Sequence, residues 1–284
     1  MDVHEGFRPV EAGVHTDFRE AMSYADYLEL DTLLAAQHPR SDPPHHDELL
    51  FIVQHQTTEL WLKLILHELR SVRAYLDADH VHHALKCLAR VKHIQRTLTE
   101  QWSVLATLTP SEYAEFRGTL GTASGFQSVQ YRAVEFILGN KNEHVLKVFD
   151  SDQAAHAMLS ELLDQPSVYD AFLRFLGRRG LDVPSAVLER DVRQPWVLQP
   201  TLIAVFQSIY DAVDRAFDLY EACESLIDVE DNFQFWRFRH LRTVQRTIGF
   251  KPGTGGSSGV GFLQKALDLT FFPELYAVRT EIGR

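Results

Sequence analysis

Trp236, His240, Val244 and Ile248 lie four residues apart in the run WRFRHLRTVQR (236–246) and its continuation, so a helix carrying them presents all four on one face. Arg237, Arg239, Arg242 and Arg246 crowd the flanks of that face. A histidine among apolar and aromatic neighbours can ligate the metal of a flat apolar cofactor, and arginines beside it can meet carboxylates on the cofactor's rim. The same spacing also describes a core histidine on a solvated basic helix, and one histidine does not separate the two readings.

Three further pairings could carry chemistry. Phe51 and His55 are again four apart on a largely apolar face, where an imidazole can make one hydrogen bond inside a dry pocket or pack as an ordinary core residue. Tyr113 and Arg117 precede the stretch GTLGTASG (118–125); an arginine there either forks onto a carboxylate or lies on the surface. The loop KPGTGGSSG (251–259) lacks the spacing and the preceding strand of a phosphate loop. It reads as a lid that closes on a ligand or as a flexible surface loop. His46-Asp47, in the histidine-rich run at 38–48, raises an alternative: an all-helical metal-dependent phosphohydrolase, which needs more His and Asp ligands from other helices. A non-catalytic helical ligand-binding protein is the third class considered.

The elements that must position these residues read as helices almost throughout. Apolar residues recur at helical spacing over 47–76, a span long enough for the spine of a bundle. A second long helix is expected over 79–107 with Asp79 as N-cap, then a short one at Pro110 capped by Thr109. Another follows at 126–138, ending at Gly139, and shorter ones fill 142–190. Long helices are expected over 200–226 and 230–250, with two short ones closing the chain. No β-alternation persists, so the fold class is all-α: a bundle of long helices with additional short helices, in a single domain over 1–284 with the segment 1–18 unassigned.

Composition narrows the partners. The formal net charge is −11, which argues against a general nucleic-acid binder. The two cysteines, Cys87 and Cys223, form no C-x-x-C or haem-attachment motif and fit a reducing cytoplasm. The first 20 residues are charged and hold no apolar stretch, so no signal peptide is expected there, and no run of apolar residues is long enough to span a membrane.

Taken together and in order, the segments YADYL (24–28), FIVQHQTTELWLKL (51–64), Tyr113 to Gly125, FQSVQYRAVEFILGNKN (126–142), WRFRHLRTVQRTIGFKPGTGGSSG (236–259) and FFPELYAVR (271–279) resemble the tryptophan 2,3-dioxygenase family. The resemblance spans about residues 20 to 280 and rests on long strings. It implies an all-α homotetramer, one b-type haem per chain (ferrous when active), and insertion of both atoms of O2 across the indole C2–C3 bond of L-tryptophan. The product would be N-formylkynurenine, at the first step of the kynurenine pathway. By the same resemblance His240 is the axial iron ligand, and Trp102, Ser124 and Gly125 contact the haem. His55 sits near the indole N–H, Phe51 packs on the indole, and Arg117 with Tyr113 beside it holds the carboxylate. Thr254 meets the ammonium and carboxylate. Tyr24, Tyr27 and Leu28 reach the pocket from a neighbouring chain.

The chemistry agrees with these roles. Ferrous haem binds O2 only with one axial site open, so one strong histidine ligand is needed. A zwitterion on an aromatic ring needs an apolar slot, a cation and an acceptor. An indole N–H is roughly 10 pKa units less acidic than an imidazolium, so its full deprotonation by His55 would cost on the order of 14 kcal/mol. His55 is therefore expected to position the N–H rather than remove its proton.

Overall fold

The protein is described from a computed structural model covering residues 10–283; residues 1–9 of the unassigned segment, and residue 284, lie outside the described residues. The chain divides into two compact units, Met1–Pro39 and Arg40–Arg284. All regular elements among the described residues are helical, as the periodicity predicts.

In the first unit, α1 (Tyr24–Leu28) and α2 (Leu30–Leu34) are two short helices. Ser23 and Asp26 form a capping box that starts α1, and Glu29, in the left-handed region at φ 51°, ends it after five residues.

The second unit is built on three long helices: α3 (Glu48–Asp77), α4 (Val81–Glu100) and α12 (Phe217–Ile248). Between them in the chain come α5 (Trp102–Leu105), α6 (Pro110–Arg117), α7 (Val129–Leu138), α8 (Gln153–Asp164), α9 (Val168–Arg178), α10 (Ser185–Leu188) and α11 (Thr201–Tyr210). After α12 come α13 (Val260–Ala266) and α14 (Pro273–Ala277). α4 packs against both α3 and α12, so it is the central slab. Leu62, Ile65, Leu66, Leu69, Val72 and Leu76 form the buried stripe of α3, spaced by three and four residues. α9 covers another side of α3, and α7 packs beside it.

Several boundaries differ from the sequence reading: the helix expected over 79–107 ends at Glu100 with Trp102–Leu105 as a separate short helix, and the one expected over 126–138 starts at Val129. Asp79 does not cap α4; it takes φ 60° in the tight turn, with its carboxylate accepting from Arg178 Nε at 2.9 Å, and the helix starts at Val81. The break expected near 226–230 lies instead at 211–216, and α12 runs unbroken through the acidic stretch Asp228 to Asp231. The reason is tertiary: Glu230 is fully buried and accepts hydrogen bonds from the backbone N–H groups of Phe271 (3.0 Å) and Phe272 (2.9 Å). A local pattern sees only a polar residue there.

Candidate active site

α3, α6, α7, α12 and the two glycine-rich segments surround a cavity of about 1140 Å3. Its first wall comes from α3. Phe51 and His55 line it, with their rings 4.2 Å apart between centroids. His55 Nδ1 lies 2.7 Å from the Phe51 carbonyl oxygen. A carbonyl only accepts, so Nδ1 carries the proton and the neutral ring offers the Nε2 lone pair. Burial lowers the His55 pKa from its usual value, which keeps this neutral tautomer at neutral pH.

The opposite wall is α12. Trp236, His240, Val244 and Ile248 all line the cavity, as their spacing predicts. Trp102 of α5 stacks on the His240 ring at 4.8 Å and an interplanar angle of 11°, fixing the imidazole plane. Burial, and then the charge of His55, push the His240 pKa down to about 4. The ring is thus a neutral donor of a lone pair at neutral pH, the state a metal ligand requires.

One end of the cavity is closed by α6 and the loop 251–259. Thr109 and Glu112 form the capping box that starts α6, with Pro110 in its first turn. The last residue, Arg117, donates from Nη2 to the Pro252 carbonyl at 2.6 Å and hydrogen-bonds Tyr113, which is buried against Phe51 and Phe116. The segment 118–127 is two 3-10 turns, Gly118–Leu120 and Gly125–Gln127, and Ser124 caps the second. Thr254 Oγ1 donates to the Ala123 carbonyl at 2.5 Å.

The remaining wall carries a buried charge cluster that the sequence reading missed. Glu135 accepts from Arg132 Nη1 at 2.6 Å and from Arg237 Nη2 at 2.9 Å, and all three side chains line the cavity. Two guanidinium groups against one carboxylate leave a positive excess in the wall. Arg237 is consumed by this cluster and by Tyr131 and the carbonyls of Ala266 and Leu269. Arg242 is exposed over Phe238, and neither it nor Arg239 nor Arg246 lines the cavity. The four arginines read from sequence as a set facing one ligand are therefore split: one is buried structure and three lie away from the cavity.

Buried polar atoms without partners concentrate here. Of the eight such atoms among the described residues, five belong to the cavity-lining side chains Trp102, Arg117, Gln130, Arg132 and Trp236. Four of these five are N–H donors, so the wall is arranged for a ligand rich in acceptors.

A family model described as tryptophan 2,3-dioxygenase matches residues 9–164 and 199–282. The chain belongs to the tryptophan 2,3-dioxygenase family. It is 69% identical to the tryptophan 2,3-dioxygenase of Kineococcus radiotolerans over 279 residues, which cover 98% of each chain. It is 65% identical to that of Saccharopolyspora erythraea, covering 99% of this chain and 100% of the relative. It is 57% identical to that of Xanthomonas campestris pv. campestris, covering 100% and 95%.

Against the family expectation, Phe51, His55, Trp102, Tyr113, Arg117, Ser124, Gly125, His240 and Thr254 all line the one cavity. Tyr24, Tyr27 and Leu28 belong to the first unit, where the two tyrosines are 75% exposed and Leu28 39%. Arg132 and Glu135 went unread because a pair three apart on a helix is as common on a solvated face as in a core; only their burial distinguishes them. The His46–Asp47 contact is 2.9 Å, but His46 is exposed, and no group of three His, Cys, Asp or Glu side chains poised for a metal occurs among the described residues.

Proposed function

We propose that the chain is a haem-dependent dioxygenase that inserts both atoms of O2 across the indole C2–C3 bond of L-tryptophan, giving N-formylkynurenine. The observation that carries the reading is the pair of neutral imidazoles, His55 and His240, lining one large cavity whose lining also carries unpartnered N–H donors.

The residues fit a haem. The cavity exceeds the roughly 300–1,000 Å3 of a single small-ligand site, leaving room for a flat macrocycle and an indole together. His240, stacked on Trp102, would hold the iron, and Ser124 and Gly125 would contact the cofactor. The unpartnered N–H donors of Trp102, Arg132 and Trp236 and the net positive Arg132–Glu135–Arg237 wall suit its two carboxylates. Bound there, one b-type haem per chain supplies the ferrous iron at which O2 is activated.

The chain's own residues then bind and orient the amino acid. Phe51 packs on the indole. His55 Nε2 accepts from the indole N–H, since Nδ1 is occupied by Phe51. The lowered His55 pKa makes it a weaker base still, so the cost of removing the indole proton rises above the roughly 14 kcal/mol of an unperturbed imidazole. Arg117 spends Nη2 on Pro252 and keeps its unpartnered Nε edge for the carboxylate, with Tyr113 beside it. Thr254 spends its proton on Ala123, so its oxygen is left to accept from the ammonium.

The same reading makes the protein a cytoplasmic homotetramer in which Tyr24, Tyr27 and Leu28 complete a neighbouring chain's pocket. Support for the exchanged segment comes from the exposure of these residues. The test is an absorption spectrum of the purified protein together with a product assay. A Soret band and N-formylkynurenine from L-tryptophan and O2 are expected; a colourless protein that takes up no haem would overturn the reading.

A further inference from the structure

α3 brings a carboxyl to the cavity that binding and orienting the amino acid do not use. Glu59 lies one helical turn after His55, so the two share a face, and both line the cavity. The guanidiniums of the facing wall are spent elsewhere: Arg132 and Arg237 are both bonded to Glu135, and neither pairs with Glu59. The Ser128 hydroxyl, which caps α7 by accepting from the Tyr131 N–H at 3.1 Å, also meets the Glu59 carboxyl. Burial raises the Glu59 pKa from the usual carboxylate value, and Ser128 alone opposes the rise. Glu59 is therefore a carboxyl without a compensating cation, on a cavity whose opposite wall carries His240.

We propose that Glu59 sets a proton-linked reduction potential for the iron held by His240: its carboxylate takes up a proton when that iron gains an electron, so the ferrous form is favoured as pH falls. The proposal rests on the haem-binding reading. The balance is one electron from a one-electron donor, such as a reduced viologen, to ferric iron, and one proton from solvent to a Glu59 carboxylate oxygen. The net charge of the cavity is then unchanged. A carboxylate in a low-dielectric cavity opposes the arriving electron, and a neutral carboxyl does not.

The other charged or titratable groups on the cavity do not replace it. His55 and His240 have lowered pKa values and stay neutral above the acid range. Burial raises the phenols of Tyr113 and Tyr131, so neither ionises near neutrality. Arg117, Arg132 and Arg237 cannot lose their charge. Glu135 is held by its two guanidiniums. Lys63, the next turn of α3, is exposed and does not line the cavity. His144 and Lys265 line it and are exposed, so His144→Gln is the necessary control.

The test is a spectroelectrochemical titration of the haem-loaded protein from about pH 6 to about pH 9. The wild-type midpoint should fall as pH rises, by at most tenfold in the reduction constant (59 mV) per unit. The whole fall should be on the order of tenfold, the scale of a unit charge acting across a cavity. Glu59→Gln should lie higher at the alkaline end by that factor and show a flatter profile, and Glu59→Asp should keep the slope. Ser128→Ala removes the contact that favours the carboxylate and should move the inflection to higher pH. His144→Gln should follow the wild type. Identical profiles in wild type and Glu59→Gln, or a slope abolished by His144→Gln, would overturn the proposal. Should Glu59→Gln fail to load haem, an inflection left in place by Ser128→Ala would overturn it equally. A wild-type chain that takes up no haem removes the haem reading and this proposal with it, whereas a loaded chain with identical profiles removes this proposal alone.

Discussion

His55 donates its Nδ1 proton to the carbonyl of Phe51, one helical turn before it, at 2.7 Å. This bond turns the ring so that only Nε2 is available to a ligand, and makes the imidazole an acceptor. A positioning group is less costly to lose than a metal ligand. His55→Ala is expected to keep its haem and to retain activity reduced by about 10- to 100-fold, whereas His240→Ala loses haem and activity together. Haem content and turnover of the two variants check this; full haem retention in His240→Ala would remove that residue as the ligand.

The two lowered histidine pKa values give a signed pH dependence. His240 falls from 6.5 to about 4, and His55 shifts in the same direction. Between those values the unfolded chain binds protons that the folded chain does not, so the contribution of these two groups to stability should decline as pH falls from about 6.5 towards 4, by at most about 1.4 kcal/mol per unit for each fully shifted group. The buried carboxyl of Glu230, pushed up to about 7, titrates over the same range with the opposite sign, so the test is a difference between variants. From pH 7.5 to 5 the denaturation midpoint of haem-free His55→Gln should fall less, or rise more, than that of the wild type; identical trends in the two proteins contradict the assignment.

Arg117 meets a carboxylate with a planar edge that lysine lacks. Arg117→Lys should raise KM for L-tryptophan by on the order of 10- to 100-fold, and wild-type protein should turn over tryptamine poorly. Comparable efficiency with tryptamine and tryptophan in steady-state kinetics would exclude a carboxylate role.

Within one helix, Arg237 and Arg242 should behave oppositely. Arg237 is 3% exposed and bonded to Glu135, whereas Arg242 is exposed. Arg237→Met is expected to destabilise the fold by roughly 3–5 kcal/mol, the range for breaking a buried pair. Arg242→Met should stay within about 0.5 kcal/mol of wild type. Urea unfolding of the two variants measures the difference.

The exchanged segment can be tested by mixing. A chain with Tyr27→Ala and intact Arg117 would be combined with a chain carrying Arg117→Ala and intact Tyr27. If pockets are shared between chains, some mixed assemblies hold both intact residues and activity should exceed that of either parent. If mixtures never exceed their parents, each pocket is built from one chain.

The helical class, the capping of α6 by Thr109, the end of α7 at Gly139, and the shared face of Trp236, His240, Val244 and Ile248 were all legible in the sequence. These depend on neighbours within about four residues, where helix geometry converts spacing directly into position. The long matching strings did more, because they carry a family's site residues as a set. What only the tertiary structure decided are relations between distant segments. That Glu230 continues α12 depends on Phe271 and Phe272, more than forty residues on. That Arg237 is buried while Arg242 is not depends on Glu135 of α7. The tautomer of His55 and the stacking of Trp102 on His240 are equally unreadable from spacing. In each case the chemistry of a side chain is set by desolvation and by a partner brought from elsewhere in the chain, and a local pattern contains neither.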